Sequence, residues 1–275
     1  MKVDRPVRMG CFSVLVACGV LSGCAAKHGK YTGEFKEEAV SRIASLKAAT
    51  TWDMAFQQFK SGDLAKALKS VDQAIALEPK VARSHVLRAR ILFEMDRPEP
   101  ALQSIEEAIR LDPELTEAYY VRGNLYERVS EFAEASKSYQ RAAELDTTDP
   151  QYVVAAAEML IQLGQLDEAE TLLAGRVGSF THNAGIRQTL GHISMMRQKP
   201  EDAVRLFNEA MLLAPSDTGI QEDLARAHLE AAQYADAETV LVRLLNKPGQ
   251  ESRRDLTHMR VRCLMELDRP VEARS

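Results

Sequence analysis

Small and large apolar residues recur along this chain at a fixed interval. One alanine in each repeat lies 34 residues from the next, at Ala67, Ala101, Ala135, Ala169, Ala203 and Ala237. A large residue stands four positions after each alanine, at Val71, Ile105, Tyr139, Leu173, Phe207 and Leu241. Residues four apart lie on one face of an α-helix, so the pattern predicts six equivalent amphipathic helices. A unit this short cannot bury its apolar face alone, and several units must stack to form a common core.

The unit at 116–149 shows the pattern most completely. Its small and aromatic positions are Tyr119, Gly123, Tyr126, Ala135, Tyr139 and Ala142. The arrangement resembles the tetratricopeptide repeat, whose pattern is W-x₂-L-G-x₂-Y, then A-x₃-F, then Pro. In this unit Tyr119 replaces the Trp, Arg122 the Leu and Thr147 the closing Pro. The resemblance implies an all-α fold, an α-solenoid of about six helix–turn–helix units plus a C-terminal capping helix.

The expected organisation has four segments. They are a signal peptide (1–23), a tether and leading helix (24–47), an array of six units (48–251) and a capping helix or partial seventh unit (252–275).

The unit at 150–183 matches the repeat least well. Gly175 and Gly178 interrupt its second helix, because glycine lowers helix stability. The segment is predicted either as a flexure between the two halves of the array or as a longer loop with no mechanical role.

The start of the chain has the features of an export signal. A basic end with Lys2, Arg5 and Arg8 precedes an apolar stretch that is too short to span a bilayer. It closes on the segment Leu21-Ser22-Gly23-Cys24, which resembles the bacterial lipobox. The resemblance implies cleavage before Cys24 and lipidation of that cysteine. The alternative is an ordinary signal peptide that leaves Cys24 as a free thiol.

The residue after the lipidated cysteine bears on the membrane. Ala25, rather than Asp, follows Cys24. In Gram-negative relatives this implies sorting to the outer membrane, facing the periplasm. We therefore expect a lipid-anchored protein of the bacterial envelope that contacts the membrane through the lipid on Cys24.

Charge and cysteine content narrow the range of partners. The formal net charge is −5, and removal of residues 1–23, with three basic residues and Asp4, brings it to −7. An acidic chain is not expected to bind nucleic acid. Beyond Cys24, Cys263 is the one remaining cysteine in the sequence, so no intramolecular disulfide is expected there. Cys263 occupies an apolar slot of the last helix and is predicted to be a buried thiol.

No catalytic motif is present in the sequence. It contains no HExxH, no phosphate-binding GxxxxGK[ST], no GxSxG and no CxxC pair. None of the six histidines has another at helical i, i+4 spacing, although His192 and His228 lie in successive first helices. We expect no cofactor, no metal site and no enzymatic activity.

The resemblance places a binding groove on the first helix of each unit. The 34-residue spacing maps ten candidate groove residues: Trp52, Phe56, Phe59, Arg90, Phe93, Tyr120, Asn124, Glu158, His192 and Arg226. The N-terminal end is aromatic and the C-terminal end polar, which suits an extended or helical peptide held by apolar anchors. In the alternative interpretation the aromatic residues pack against the leading segment at 34–47.

The expected function is therefore that of a membrane-anchored scaffold that captures another protein in its groove. Two narrower alternatives remain open: a pilotin-like assembly factor for a pilus or secretion machine, and an adaptor for cell-wall enzymes. Some family members clamp a peptide carboxylate with Lys, Asn and Arg. Trp52, Phe56, Leu87, Glu117 and Val121 stand at the matching positions, so that mode is not expected.

Overall fold

A computed structural model describes residues 30–250 and 252–274 of the protein. The predictions for the signal peptide, the lipobox and Cys24 lie outside the described residues. The chain divides into two units, with the division after Ala44. The first unit is described only from Lys30, where it consists of helix.

The described residues form thirteen α-helices and no strand. The helices are α1 (Lys30–Lys60), α2 (Leu64–Leu77), α3 (Ala82–Glu94), α4 (Pro98–Leu111), α5 (Thr116–Arg128), α6 (Phe132–Leu145), α7 (Pro150–Gln162), α8 (Leu166–Val177), α9 (Ala184–Met196), α10 (Pro200–Leu213), α11 (Thr218–Glu230), α12 (Tyr234–Leu245) and α13 (Arg254–Glu266). A short 3₁₀ helix follows at Glu272–Arg274. The prediction of an all-α solenoid is confirmed.

Local sequence signals set the helix boundaries. Asp63, Asn183 and Asp217 accept hydrogen bonds from backbone N–H groups in the first turns of α2, α9 and α11. Such caps satisfy donors that have no partner within the helix. Pro98 and Pro200 occupy the first turns of α4 and α10, where a missing N–H costs nothing.

The turn inside each unit has one residue in the left-handed region, again at a spacing of 34. These residues are Gly62 (φ 80°), Asp96 (φ 56°), Ser130 (φ 62°), Gly164 (φ 74°), Gln198 (φ 58°) and Ala232 (φ 56°). A backbone hydrogen bond closes each turn, as in Arg97 N to Leu92 O at 2.9 Å and Glu131 N to Tyr126 O at 2.8 Å. This six-to-one bond is the Schellman pattern that ends a helix.

The two helices of a unit pack tightly at the glycine positions of the repeat. A Cβ atom added to Gly123 would lie 2.4 Å from Cε1 of Tyr139, and one added to Gly191 would lie 2.5 Å from Cε1 of Phe207. Tyr139 and Phe207 are each 1% exposed. Glycine is required at both positions because the ring of the second helix occupies the space of the missing side chain.

The second helix of the 150–183 unit runs through Gly175 and ends at Val177. α8 has 12 residues, as α12 does, whereas α6 and α10 have 14 each. Ala169 and Leu173 of α8 are nevertheless fully buried, in a cluster shared with α7 and α9. The hydrophobic core therefore continues through this unit, and a flexure at this point stays a prediction.

The last long helix closes the core of the preceding pair. Leu256, Cys263 and Leu264 of α13 are buried, and Leu256 and Cys263 join the cluster formed by α10, α11 and α12. Burial raises the pKa of the Cys263 thiol. The prediction of a buried thiol at this position is confirmed.

Candidate functional site

Five of the ten candidate groove residues line one open cavity. Its volume is about 270 Å³, and its walls come from α1, α3 and α5. The lining residues are Phe59, Arg90, Phe93, Glu94, Glu117, Tyr120, Val121 and Asn124. We call this cavity the aromatic pocket, because three of its walls are aromatic rings.

Two arginines frame the rings of the aromatic pocket. The guanidinium of Arg90 lies 5.3 Å from the centroid of Phe59, and that of Arg128 lies 4.5 Å from the centroid of Phe93. Cations at such positions are attracted to the negative face of a ring. Arg90 also donates to Oε1 of Glu117 at 3.1 Å. The rings are thus held in place while their remaining surface faces the cavity.

Trp52 and Phe56 belong to a neighbouring site. Their rings stack with centroids 5.3 Å apart and planes inclined by 11°. Trp52 lines a second cavity of about 290 Å³ with Ala48, Val81 and Arg83 among its walls. The Nε1 atom of Trp52 is buried and has no hydrogen-bond partner among the described residues.

The leading segment at 34–47 does not bury its apolar side chains. Phe35, Val40, Ile43 and Leu46 are all exposed, and Leu46 is 69% exposed. The alternative interpretation, in which the aromatic residues pack against this segment, stays a prediction.

Tyr139 connects the aromatic pocket to the next part of the groove. Its ring lies 5.7 Å from that of Tyr120, and its hydroxyl is 2.6 Å from both Asn124 Oδ1 and Glu127 Oε2. Burial, followed by the neighbouring Glu127 carboxylate, raises the pKa of Tyr139, so its hydroxyl keeps its proton. It can donate to either oxygen and so fixes Asn124 and Glu127 on the groove surface.

Glu158, on α7, has no ion-pair or hydrogen-bond partner within the described part of the chain. Burial raises the pKa of Glu158, the negative charge of Glu127 raises it further, and His192 opposes both. The side chain is still open to solvent on its groove side. This carboxylate is uncompensated by any protein cation in direct contact.

His192 and Arg226 meet at an aspartate that the repeat mapping did not single out. His192 Nε2 and Gln188 Nε2 each lie 2.8 Å from Asp223 Oδ2, and Arg226 donates to Asp223 Oδ1 at 3.4 Å. Burial alone would raise the pKa of Asp223, but the hydrogen bonds from His192 and Gln188 outweigh it and the pKa is lowered. The C-terminal half of the groove is therefore internally paired.

The two histidines of successive first helices have different partners. His228 is buried, with Nδ1 2.7 Å from Oε1 of Gln233, whereas His192 faces the groove. Within residues 30–250 and 252–274, no group of three or more His, Cys, Asp or Glu side chains is arranged to hold a metal ion.

Asp223 and Glu117 were missed because the mapping kept only a few positions of each first helix. Asp223 lies 102 residues, or three repeats, after Val121, which is in the wall of the aromatic pocket. Glu117 precedes Tyr120 by three residues, about one helical turn. Extending the mapped positions by one residue toward the C-terminus and by one turn toward the N-terminus of each first helix would have included both residues.

Comparison with known proteins places the chain in a family. Models of the tetratricopeptide repeat match residues 57–116, 116–149, 150–174 and 194–255. None of the curated proteins compared with the chain matches it. No helix among the described residues is both long enough and apolar enough to cross a membrane.

Solved structures share the fold at low sequence identity. A tetratricopeptide repeat protein from Parabacteroides merdae is 17% identical with a TM-score of 0.65, over 83% of this chain and 90% of that one. PilW, a widely conserved type IV pilus biogenesis factor, is 18% identical with a TM-score of 0.60, over 74% and 97%. YrrB, a repeat protein with an unusual peptide-binding site, is 20% identical with a TM-score of 0.53, over 70% and 96%. With repeat models matching more than half of its 275 residues, the chain belongs to the tetratricopeptide repeat family.

Proposed function

We propose that the protein is an interaction scaffold that binds a peptide segment of another protein along its first helices. The observation that carries the proposal is the aromatic pocket, where side chains of three successive units converge on one open cavity. Aromatic side chains that remain accessible in a concave surface are typical anchors for a peptide. The neighbouring Arg90, Glu117 and Asn124 supply polar groups for the peptide backbone.

The relatives are consistent with peptide capture but do not define the partner. YrrB has a peptide-binding site, and PilW is a pilus biogenesis factor. At 20% identity or less these likenesses concern the fold, so the proposal stays at the level of protein capture. A pilus or secretion machine and a set of cell-wall enzymes are both partners that a scaffold of this kind can serve.

We further propose that the scaffold is anchored to the bacterial envelope by lipid on Cys24, at the outer membrane and facing the periplasm. The support is the segment Leu21–Cys24, which directly follows an apolar stretch and a basic end. Several acyl chains on one cysteine give stable anchoring where a single chain does not.

The groove is tested by capture with matched variants. The double variant Phe59→Ala/Phe93→Ala removes two walls of the aromatic pocket. Its control is Leu77→Ala/Leu212→Ala, which removes two exposed apolar side chains from second helices. Circular dichroism of the purified forms first checks that all three have the same helicity. Each form is then crosslinked in native membranes, and the proteins attached to it are quantified by mass spectrometry.

We expect the pocket variant to lose a set of partners that the wild type and the control both capture. Truncation of a central aromatic anchor commonly costs about 2 kcal/mol of binding free energy, or roughly 30-fold in affinity. Equal capture by all three forms would contradict the groove proposal and direct attention to the opposite face of the array.

A further inference from the structure

The leading part of α1 exposes apolar side chains along its length. Every residue from 34 to 43 is exposed, including Phe35 at 68%, Val40 at 59% and Ile43 at 52%. Helices of globular proteins gain most of their stability by packing an apolar face against another element. The apolar side chains of this segment have no such cover from the described residues.

These apolar side chains share one face of the helix. Successive residues are rotated by about 100° around the axis, so Phe35, Ile43 and Val40 fall within one arc of about 140°. We call this arc the leading apolar face. From Phe35 to Ile43 it covers about 12 Å of the helix, which is too short to cross a bilayer but long enough to lie on one.

The charges of the segment are distributed unevenly around the leading apolar face. Lys36 lies inside the arc, between Ile43 and Val40 around the axis. Arg42 lies about 20° beyond one edge, and its Nη2 is 2.6 Å from Oε1 of Glu38. The acidic residues all lie about 60° or more outside the arc: Glu34, Glu37 and Glu38.

The position of Lys36 distinguishes a lipid surface from a protein partner. In a helix–helix contact its ammonium would lose hydration unless a carboxylate stood beside it. A second copy of the chain would bring the same face, which contains no carboxylate. At a bilayer, by contrast, the lysine stem lies along the apolar region while the ammonium reaches the lipid phosphates. The arrangement favours phospholipid.

The leading apolar face also lies close to the proposed lipid anchor along the chain. α1 begins at Lys30, six residues after Cys24. An extended chain spans at most about 3.6 Å per residue, so Lys30 is within about 22 Å of Cys24. A chain held by lipid on Cys24 therefore keeps this face within reach of the bilayer.

Resting on the proposed lipid anchor, we infer that residues 34–43 lie along the membrane surface and bind phospholipid. Phe35, Val40 and Ile43 enter the boundary between headgroups and acyl chains, and Lys36 reaches the phosphates. Amphipathic helices bind membranes in this way, parallel to the surface. The acyl chains on Cys24 hold the protein at the membrane, and the leading apolar face fixes which side of the helix meets it.

The test measures lipid contact at two neighbouring positions of the acylated chain. Val40→Cys and Ser41→Cys are each labelled with the environment-sensitive dye NBD, because residue 41 lies outside the arc and is also exposed. The buried Cys263 is protected from the label. Each protein is purified from membranes and reconstituted in vesicles of phosphatidylethanolamine and phosphatidylglycerol, with or without lipid that carries a nitroxide quencher in its acyl chains.

We expect the dye at position 40 to emit at shorter wavelength in vesicles and to be quenched by the nitroxide lipid. The dye at position 41 should show neither change. Adding Phe35→Ser/Ile43→Ser to the Val40→Cys protein should abolish both changes, while the protein still floats with the vesicles through its acyl chains. Added salt should leave the quenching in place, because the contact is mainly apolar.

Three results would overturn the inference, and they differ in what else they affect. If the protein floats with the vesicles but both dyes stay unquenched, the leading apolar face does not bind lipid and the anchor at Cys24 still stands. A dye at position 40 that emits at shorter wavelength without nitroxide quenching would indicate a protein on this face. A chain that does not float with the vesicles would overturn the lipid anchor as well.

Discussion

Gly191→Ala tests whether the close approach of paired helices sets the stability of a unit. The added Cβ would lie 2.5 Å from Cε1 of Phe207 and 2.8 Å from both Cδ1 and Cζ. Ordinary contacts of a Cβ begin at 3.4 Å, and the Phe207 ring is too buried to swing aside. Overpacking of this kind costs about 1–3 kcal/mol, and three simultaneous close contacts favour the upper end. Better helix propensity returns about 1 kcal/mol, so we expect a net loss of about 2 kcal/mol.

The assay is urea unfolding followed by far-UV circular dichroism, with Gly175→Ala as the matched control. No atom outside the local backbone lies within 4 Å of a Cβ at Gly175, which is also helical. Only the propensity gain applies there, so Gly175→Ala should stabilise by up to about 1 kcal/mol. Phe207→Leu should partly rescue Gly191→Ala, with a coupling free energy of about 1 kcal/mol or more. A Gly191→Ala protein at least as stable as the wild type would refute the reasoning.

Two further predictions concern a groove carboxylate and the anchor. The pKa of Glu158 is higher in the folded protein than its ordinary value of 4.5. The stabilisation that its protonated form gives the folded state is therefore fully present below pH 4.5 and is lost as the pH rises through the pKa of the folded state. Glu158→Gln should therefore raise the free energy of unfolding at neutral pH, by less than about 1 kcal/mol because the side chain is open to solvent. The measurement is urea unfolding of both proteins at acidic and at neutral pH. A wild type that gains stability relative to the variant as the pH rises would contradict this prediction. Cys24→Ser should move the protein from the membrane to the soluble fraction. The control Cys18→Ser, which lies within the segment expected to be removed, should leave the protein in the membrane fraction. If Cys24→Ser fractionates with the membrane as the wild type does, lipid anchoring at Cys24 is contradicted.

The fold could be predicted from the sequence because the repeat is a packing pattern. Gly123 and Tyr139 are 16 residues apart and must change together, and the same pair recurs at Gly191 and Phe207. Steric requirements of this kind leave a periodic trace in the residue types themselves. The left-handed turn residues leave a weaker trace, because only Gly62 and Gly164 are glycines.

The candidate site was predictable only in part. The aromatic pocket follows from register, since Phe59, Phe93 and Tyr120 fall on the groove face of successive first helices. The pairing of His192 with Asp223 does not, because the partner of a polar side chain depends on the position of the neighbouring helix within an ångström or two. The charge balance of the groove therefore depends on contacts that the residue types alone do not determine.

The left-handed turns have a consequence for how such an array can grow. Asp96, Ser130, Gln198 and Ala232 adopt a conformation that costs a residue with a side chain roughly 1–2 kcal/mol, yet each turn is closed by the same backbone bond. The packing of the two helices that flank the turn must therefore hold it in this conformation, since the residue at its centre does not favour the left-handed region. A unit can then be duplicated, deleted or exchanged without a matching change of turn sequence. The length of the array is free to vary over evolutionary time, while the angle between the helices of each unit stays the same.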